Sequence, residues 1–190
     1  QLAPLLGLPE PSGLDTVRMA WDLAALCDAW AEAAAGVPEE IVGRPMPLST
    51  PDPSRTISVR DLVVNVFHPI ALLPGAWSTG GLPWYPEERD EEIATGLPDA
   101  DAVASYAEAG RGAWNIFMLD RDEDELAERN PTVSSPRGTV RFDALVASQR
   151  WHAAFHYRQL LYVLDGWGYP VPAPLDLATI AGLDLPAEIM

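Results

Sequence analysis

Lysine is absent from this chain, and cysteine occurs once, at Cys27. The 12 basic residues, all arginine, face 28 acidic ones, which leaves a formal net charge of −16 over 190 residues. Such a surface repels phosphate backbones and anionic lipid, so neither nucleic acid nor a membrane is an expected partner. A single thiol excludes an intramolecular disulfide framework and fits a reducing cytoplasm. Also missing are an apolar run long enough to cross a bilayer and a positively charged leader before an apolar core, so no span or secretory signal is expected. Abundant Ala, Pro, Gly and Arg without lysine point to GC-rich coding. What is present is the composition of a globular protein, 48% hydrophobic with a mean hydropathy near zero. Its length suits one domain, residues 1–190, with a proper core.

Histidine is scarce too, and its three positions are His68, His152 and His156. The last two lie in the stretch Arg150 to Leu164, RWHAAFHYRQLLYVL. A spacing of four puts both imidazoles on one face of a helix, about one turn apart, where both can reach one ion. They also fall on the apolar stripe of that helix, with Phe142, Leu145, Gln149, Gln159 or Leu160, and Val163 at steps of three and four. His68 occupies a second amphipathic segment, ISVRDLVVNVFHPIALL, on a stripe with Asp61, Val64 or Asn65, and Leu72. An inward histidine is more often a hydrogen-bonded core residue than a ligand. Three converging imidazoles, however, would need three sets of hydrogen-bond partners in the absence of an ion. The candidate metal ligands are therefore His68, His152 and His156.

Three neutral imidazoles leave a divalent ion, Zn²⁺ first and Ni²⁺ or another as alternatives, with a position open for water or substrate. A structural zinc site would be closed by four ligands, usually including cysteine, and no cysteine is near. An ion held this way lowers the pKa of a bound thiol or water toward neutrality. The ligands' outer ring nitrogens need polar partners, and Gln149, Asn65, Asp61 and Gln159 have the right helical phase. Metal-dependent hydrolysis and a non-catalytic small-molecule binder both remain compatible with these residues. Cys27, mid-helix on the edge of an apolar stripe, is expected to be a small buried hydrophobe and not a nucleophile.

His68 on one helix, His152-x-x-x-His156 on a later one, and the run HAAFHYRQLLYVLDGWG resemble the DinB/YfiT-like metalloenzymes. The likeness covers roughly Leu14 to Gly168. It implies an all-α four-helix bundle with long crossover loops and a divalent metal bound by the three histidines. It also implies a thiol S-transferase that directs a low-molecular-weight thiol onto an electrophilic small molecule. GC-rich coding favours mycothiol as that thiol over bacillithiol or glutathione. On this reading Trp84, Tyr106, Trp114 and Tyr157 shape the electrophile pocket. The family's mycothiol-dependent isomerase branch carries a glutamate among its ligands; none lies between Gln149 and Gln159, which lowers that alternative.

Along the chain the core helices are expected at about 14–35, 58–75, 98–119 and 140–165. The proline-rich stretch from Val37 to Ile57 reads as a long connection. Ser58 and Asp61 match a capping box in shape. Pro69 and Pro74 predict a kink or an early end close to His68. Residues Trp77 to Leu97 read as a crossover loop with a solvated acidic turn, or as a lid carrying Trp84 and Tyr85. Gly110 and Gly112 inside the third helix suggest a close helix contact or room for a ligand. The run DRDEDELAER reads as a solvated helix extension and residues 130–138 as a loop. The tail 167–190 is too apolar for a free linker, and either packs along the helices or joins two copies as a homodimer.

Overall fold

A computed structural model describes residues 16–48, 56–83, 87–135, 138–170 and 179–186. The protein is mostly helical, with a small two-stranded sheet. Its elements run in the order α1 (Thr16–Ala35), α2 (Glu39–Val42), α3 (Val59–Thr79), α4 (Glu87–Thr95), α5 (Ala100–Leu119), α6 (Glu123–Glu128), β1 (Thr132–Ser135), β2 (Gly138–Arg141) and α7 (Phe142–Gly166).

Four long helices share one core. α1 packs against α5 and α7, and α3 packs against the same two from the other side, while α4 lies on α3. Three of the long helices have a local reason to start where they do. The Ser58 hydroxyl accepts the Asp61 amide N–H, and the Asp61 carboxylate accepts the Ser58 N–H at 2.8 Å, so the capping box closes at the head of α3. Asp99 caps α5 through the Ala102 N–H at 2.8 Å. The head of α7 has no capping side chain of its own. The preceding loop serves instead, with Pro131 O taking the Phe142 N–H and Asn130 Oδ1 taking the Asp143 N–H.

α3 does not end at its prolines. It continues through Pro69 and Pro74 to Thr79 and stops at Gly80, whose φ of 68° lets its N–H close back onto Ala76 O. Both prolines lie within the helix that carries Phe67, Ile70, Leu73 and Trp77, all fully buried, and that packing outweighs the lost backbone hydrogen bonds. By length and composition α3 could also cross a membrane, against the expectation from the sequence. Over half of its apolar window, 56%, is nevertheless buried inside the protein, as a core helix requires.

The segment expected to be a loop before Leu97 contains α4, and the loop near residue 135 is a hairpin that pairs Val133 with Val140. The acidic run after Leu119 forms a separate short helix, α6, capped by Asp122 and pinned by buried Leu126. Gly110 is a point of close approach: a Cβ there would stand 2.5 Å from the Phe67 ring, so glycine is what lets α5 meet α3. Gly112 has no neighbour among the described residues within 4 Å of such an atom.

The aromatic core divides in two. Trp77, Phe117, Phe142 and Trp114 form one cluster with centroids 4.9–6.0 Å apart, and Trp30 meets Tyr157 edge-on at 5.5 Å. Beyond α7 the tail folds back on the chain itself. Arg150 reaches the carbonyls of Thr179 and Ala181, Trp151 reaches Asp184 O, and Arg158 reaches Pro186 O, while Ile180, Leu183 and Leu185 pack on the core.

Candidate metal centre

His152 and His156 stand side by side on α7 with ring centroids 4.5 Å apart and planes at 88°. Their backbone is held inward by buried Ala153, Ala154, Tyr157 and Leu160 on the same helix. His68 lies on α3 three residues after Asn65, and both are half-buried. Hydrogen bonds run from one histidine toward the next. His68 Nδ1 lies 2.6 Å from Asp90 Oδ1. Asp90 Oδ2 accepts Asn65 Nδ2 at 3.5 Å, and Asn65 Oδ1 lies 3.0 Å from His152 Nε2. His156 has its own anchor, Gln159 Oε1, at 2.6 Å from Nδ1.

The environment keeps the pair on α7 neutral. Burial, with a smaller contribution from neighbouring His156, pushes His152 down to about 3. His156 is lowered as well, again by burial, with the Gln159 hydrogen bond working the other way. His152 retains some exposure over the whole residue, yet its ring Nδ1 is sealed from solvent and has no hydrogen-bond partner among the described residues. A neutral imidazole with an unpartnered buried nitrogen is the form that ligates a metal.

The positions singled out from the sequence separate in the structure. Asn65 and Gln159 both meet histidine ring nitrogens. Asp61 does not; its carboxylate is committed to the Ser58 cap one turn earlier on α3. Gln149 Oε1 is buried without a hydrogen-bond partner among the described residues. Tyr106 is half-buried, and desolvation, with the Asp90 charge adding to it, pushes its hydroxyl up to about 12, so it stays a donor. Tyr157 is buried against Trp30, with its hydroxyl unpartnered among the described residues and its pKa raised chiefly by burial. Trp114 is wholly buried, donates to Ala20 O at 3.2 Å and stacks on Phe117, which makes it a core residue. Trp84 lies outside the described residues. Cys27 is buried and its thiol pKa is raised by desolvation, which removes it from nucleophilic chemistry.

Asp90 is the residue that sequence reasoning missed. It sits in the run EERDEE, which reads as solvated charge. Its partner in phase is Ala94, four residues on and 3% exposed, and that spacing marks an inward face of α4.

Among the described residues no three His, Cys, Asp or Glu side chains stand together at metal-holding spacing. The structure brings His152 and His156 into contact and ties His68 to them through Asp90 and Asn65. No protein-family model matches the chain, and no curated protein matches it.

Proposed function

We propose that the chain is a metal-dependent thiol S-transferase of the DinB/YfiT-like type, built on a four-helix bundle of α1, α3, α5 and α7. His68, His152 and His156 would hold a divalent ion, zinc first, and the co-substrate would be a low-molecular-weight thiol, mycothiol first. One observation carries this reading. Each of the three histidines has one ring nitrogen committed to a side-chain oxygen, of Asp90, Asn65 or Gln159. Metal-binding histidines carry that outer support, which fixes the tautomer and aims the opposite nitrogen. The orphaned Nδ1 of His152 fits the same reading, since an ion would be the partner it lacks.

When bound, such an ion brings a coordinated thiol toward its anionic form at neutral pH. The chain's own residues do the rest. Burial holds the imidazoles of His152 and His156 unprotonated and ready to ligate. Tyr106 keeps its proton and can donate a hydrogen bond to a polar group of the electrophile. A net charge of −16 keeps polyanions away and fits small-molecule chemistry in the cytoplasm.

The His68–Asp90 contact supports one competing reading, metal-assisted hydrolysis. An imidazole oriented by a carboxylate at 2.6 Å is also the arrangement of a general base that activates water. The test is an activity screen with metal-loaded chain, mycothiol, bacillithiol or glutathione, and a generic electrophile. The proposal expects turnover that needs both metal and thiol and disappears in His152→Ala/His156→Ala. Turnover without added thiol would move the assignment to the hydrolase, and a thiol-dependent rate unaffected by the double substitution would refute it.

A further inference from the structure

We infer that Asp90 is the positioning residue of this centre, setting the ring tautomer of two histidines at once: His68 directly, and His152 through Asn65. The use made of those tautomers rests on the function proposed above, but the hydrogen-bond logic does not.

A carboxylate offers only acceptor oxygens, so whatever meets it must bring a proton. His68 therefore presents Nδ1–H to Asp90 Oδ1 at 2.6 Å, which leaves its Nε2 as the nitrogen aimed away from α4. The other carboxylate oxygen, Oδ2, takes Nδ2 of Asn65 at 3.5 Å. That contact fixes which way the Asn65 amide is turned, because its carbonyl cannot also face a carboxylate. The carbonyl oxygen then faces His152 Nε2 at 3.0 Å and must receive a proton from it. His152 is thus the Nε2–H tautomer, and its lone pair sits on Nδ1, the buried atom without a partner among the described residues.

Asp90 therefore commands residues on two helices from a third. Among the helix's described side chains Arg89, Glu91 and Glu92 are exposed and Ala94 is the fully buried one, so the centre is the reason for an inward carboxylate there. His156 lies outside this chain of control. Gln159 on its own helix orders it, and the two rings of the α7 pair take their tautomers from independent anchors.

The experiment is ring ¹⁵N spectroscopy of the metal-free chain at pH 8, which reads the protonated nitrogen of each histidine. Wild type is expected to show His68 with Nδ1–H, His152 with Nε2–H and His156 with Nδ1–H. In Asp90→Ala, His68 and His152 become tautomer mixtures while His156 is unchanged, and in Asn65→Ala only His152 changes. A merely structural role for α4 would disturb all three rings together. If Asp90→Ala does not fold, the isosteric Asp90→Asn serves: an amide no longer dictates a donor, so the same two rings lose their single tautomer. A second readout is Zn²⁺ affinity by chelator competition, expected to fall about 10–100-fold in the Asp90 variants, as loss of an outer partner does. Retained single tautomers at His68 and His152 in the Asp90 variants, or an equal change at His156, would overturn the inference. Failure of wild type to bind metal would sink the thiol-transferase reading and leave the tautomer result standing.

Discussion

Arg150 and His152 are two residues apart on α7, so they point to nearly opposite sides of the helix, and the two buried polar sites they found behave differently. On the Arg150 side the charge is balanced by the chain, although Asp22 Oδ2 meets it as an ion pair and not as a hydrogen bond. The guanidinium lies 2.9 Å from Asp22 Oδ2 and donates to the carbonyls of Thr179 and Ala181, which ties α1, α7 and the returning tail together. On the His152 side the two imidazoles of α7 are held neutral, and acceptors remain without donors among the described residues, His152 Nδ1 and Gln149 Oε1 among them. A buried charge whose partners are all protein groups is architecture. A buried pair of neutral imidazoles, anchored by side chains around it and with one nitrogen unpartnered among the described residues, is what the proposed metal site rests on.

The comparison can be broken most forcefully at Arg150. Burial lowers the Arg150 pKa and raises that of Asp22, and in both cases desolvation is a larger influence than their mutual attraction. The pair is therefore not a source of net stability against a well-packed apolar pair, but removing one member strands the other. Arg150→Ala is expected to cost about 3 kcal/mol in denaturant unfolding, the low end for a broken buried pair because Asp22 keeps some solvent. Metal affinity should not change. A variant that lost metal in proportion to stability would merge the two sites into one.

An effect spread over pH sharpens the other side. His152 has a folded-state pKa of about 3, below the ordinary histidine value of 6.5. Its neutral form is favoured by folding, so its contribution is fully present above pH 6.5 and is lost as pH falls from there toward 3. Metal-free protein should lose stability on the order of a few kcal/mol across that window, and His152→Gln should flatten the loss. A profile that is the same in the variant would mean that His152 is not held neutral by burial.

Much of this was legible in the residues alone. The long helices announce themselves through apolar residues at steps of three and four, and Ser58 with Asp61 marks one of their starts. Helical phase also placed Asn65 and Gln159 against the histidines. The failures have physical causes. α4 has no apolar stripe beyond Ala94 and Ile93, so its acidic residues hid both the helix and Asp90. Pro69 and Pro74 read as helix breakers because the packing that overrides them is tertiary. Asp61 had the right phase, but the cap claimed its carboxylate first. Trp114 resembled a pocket wall because an aromatic on an inner stripe looks the same whether it meets a ligand or Phe117. Of the two fates open to the tail, docking on its own chain is what Thr179 to Pro186 display.

Metal content of untagged protein, measured by elemental analysis after equilibration with Zn²⁺ and removal of the excess, tests the central claim most directly. The account predicts close to one ion per chain in wild type and in Arg150→Ala, and none in His152→Ala/His156→Ala. Wild type that holds no ion, or a double variant that holds as much as wild type, would contradict it.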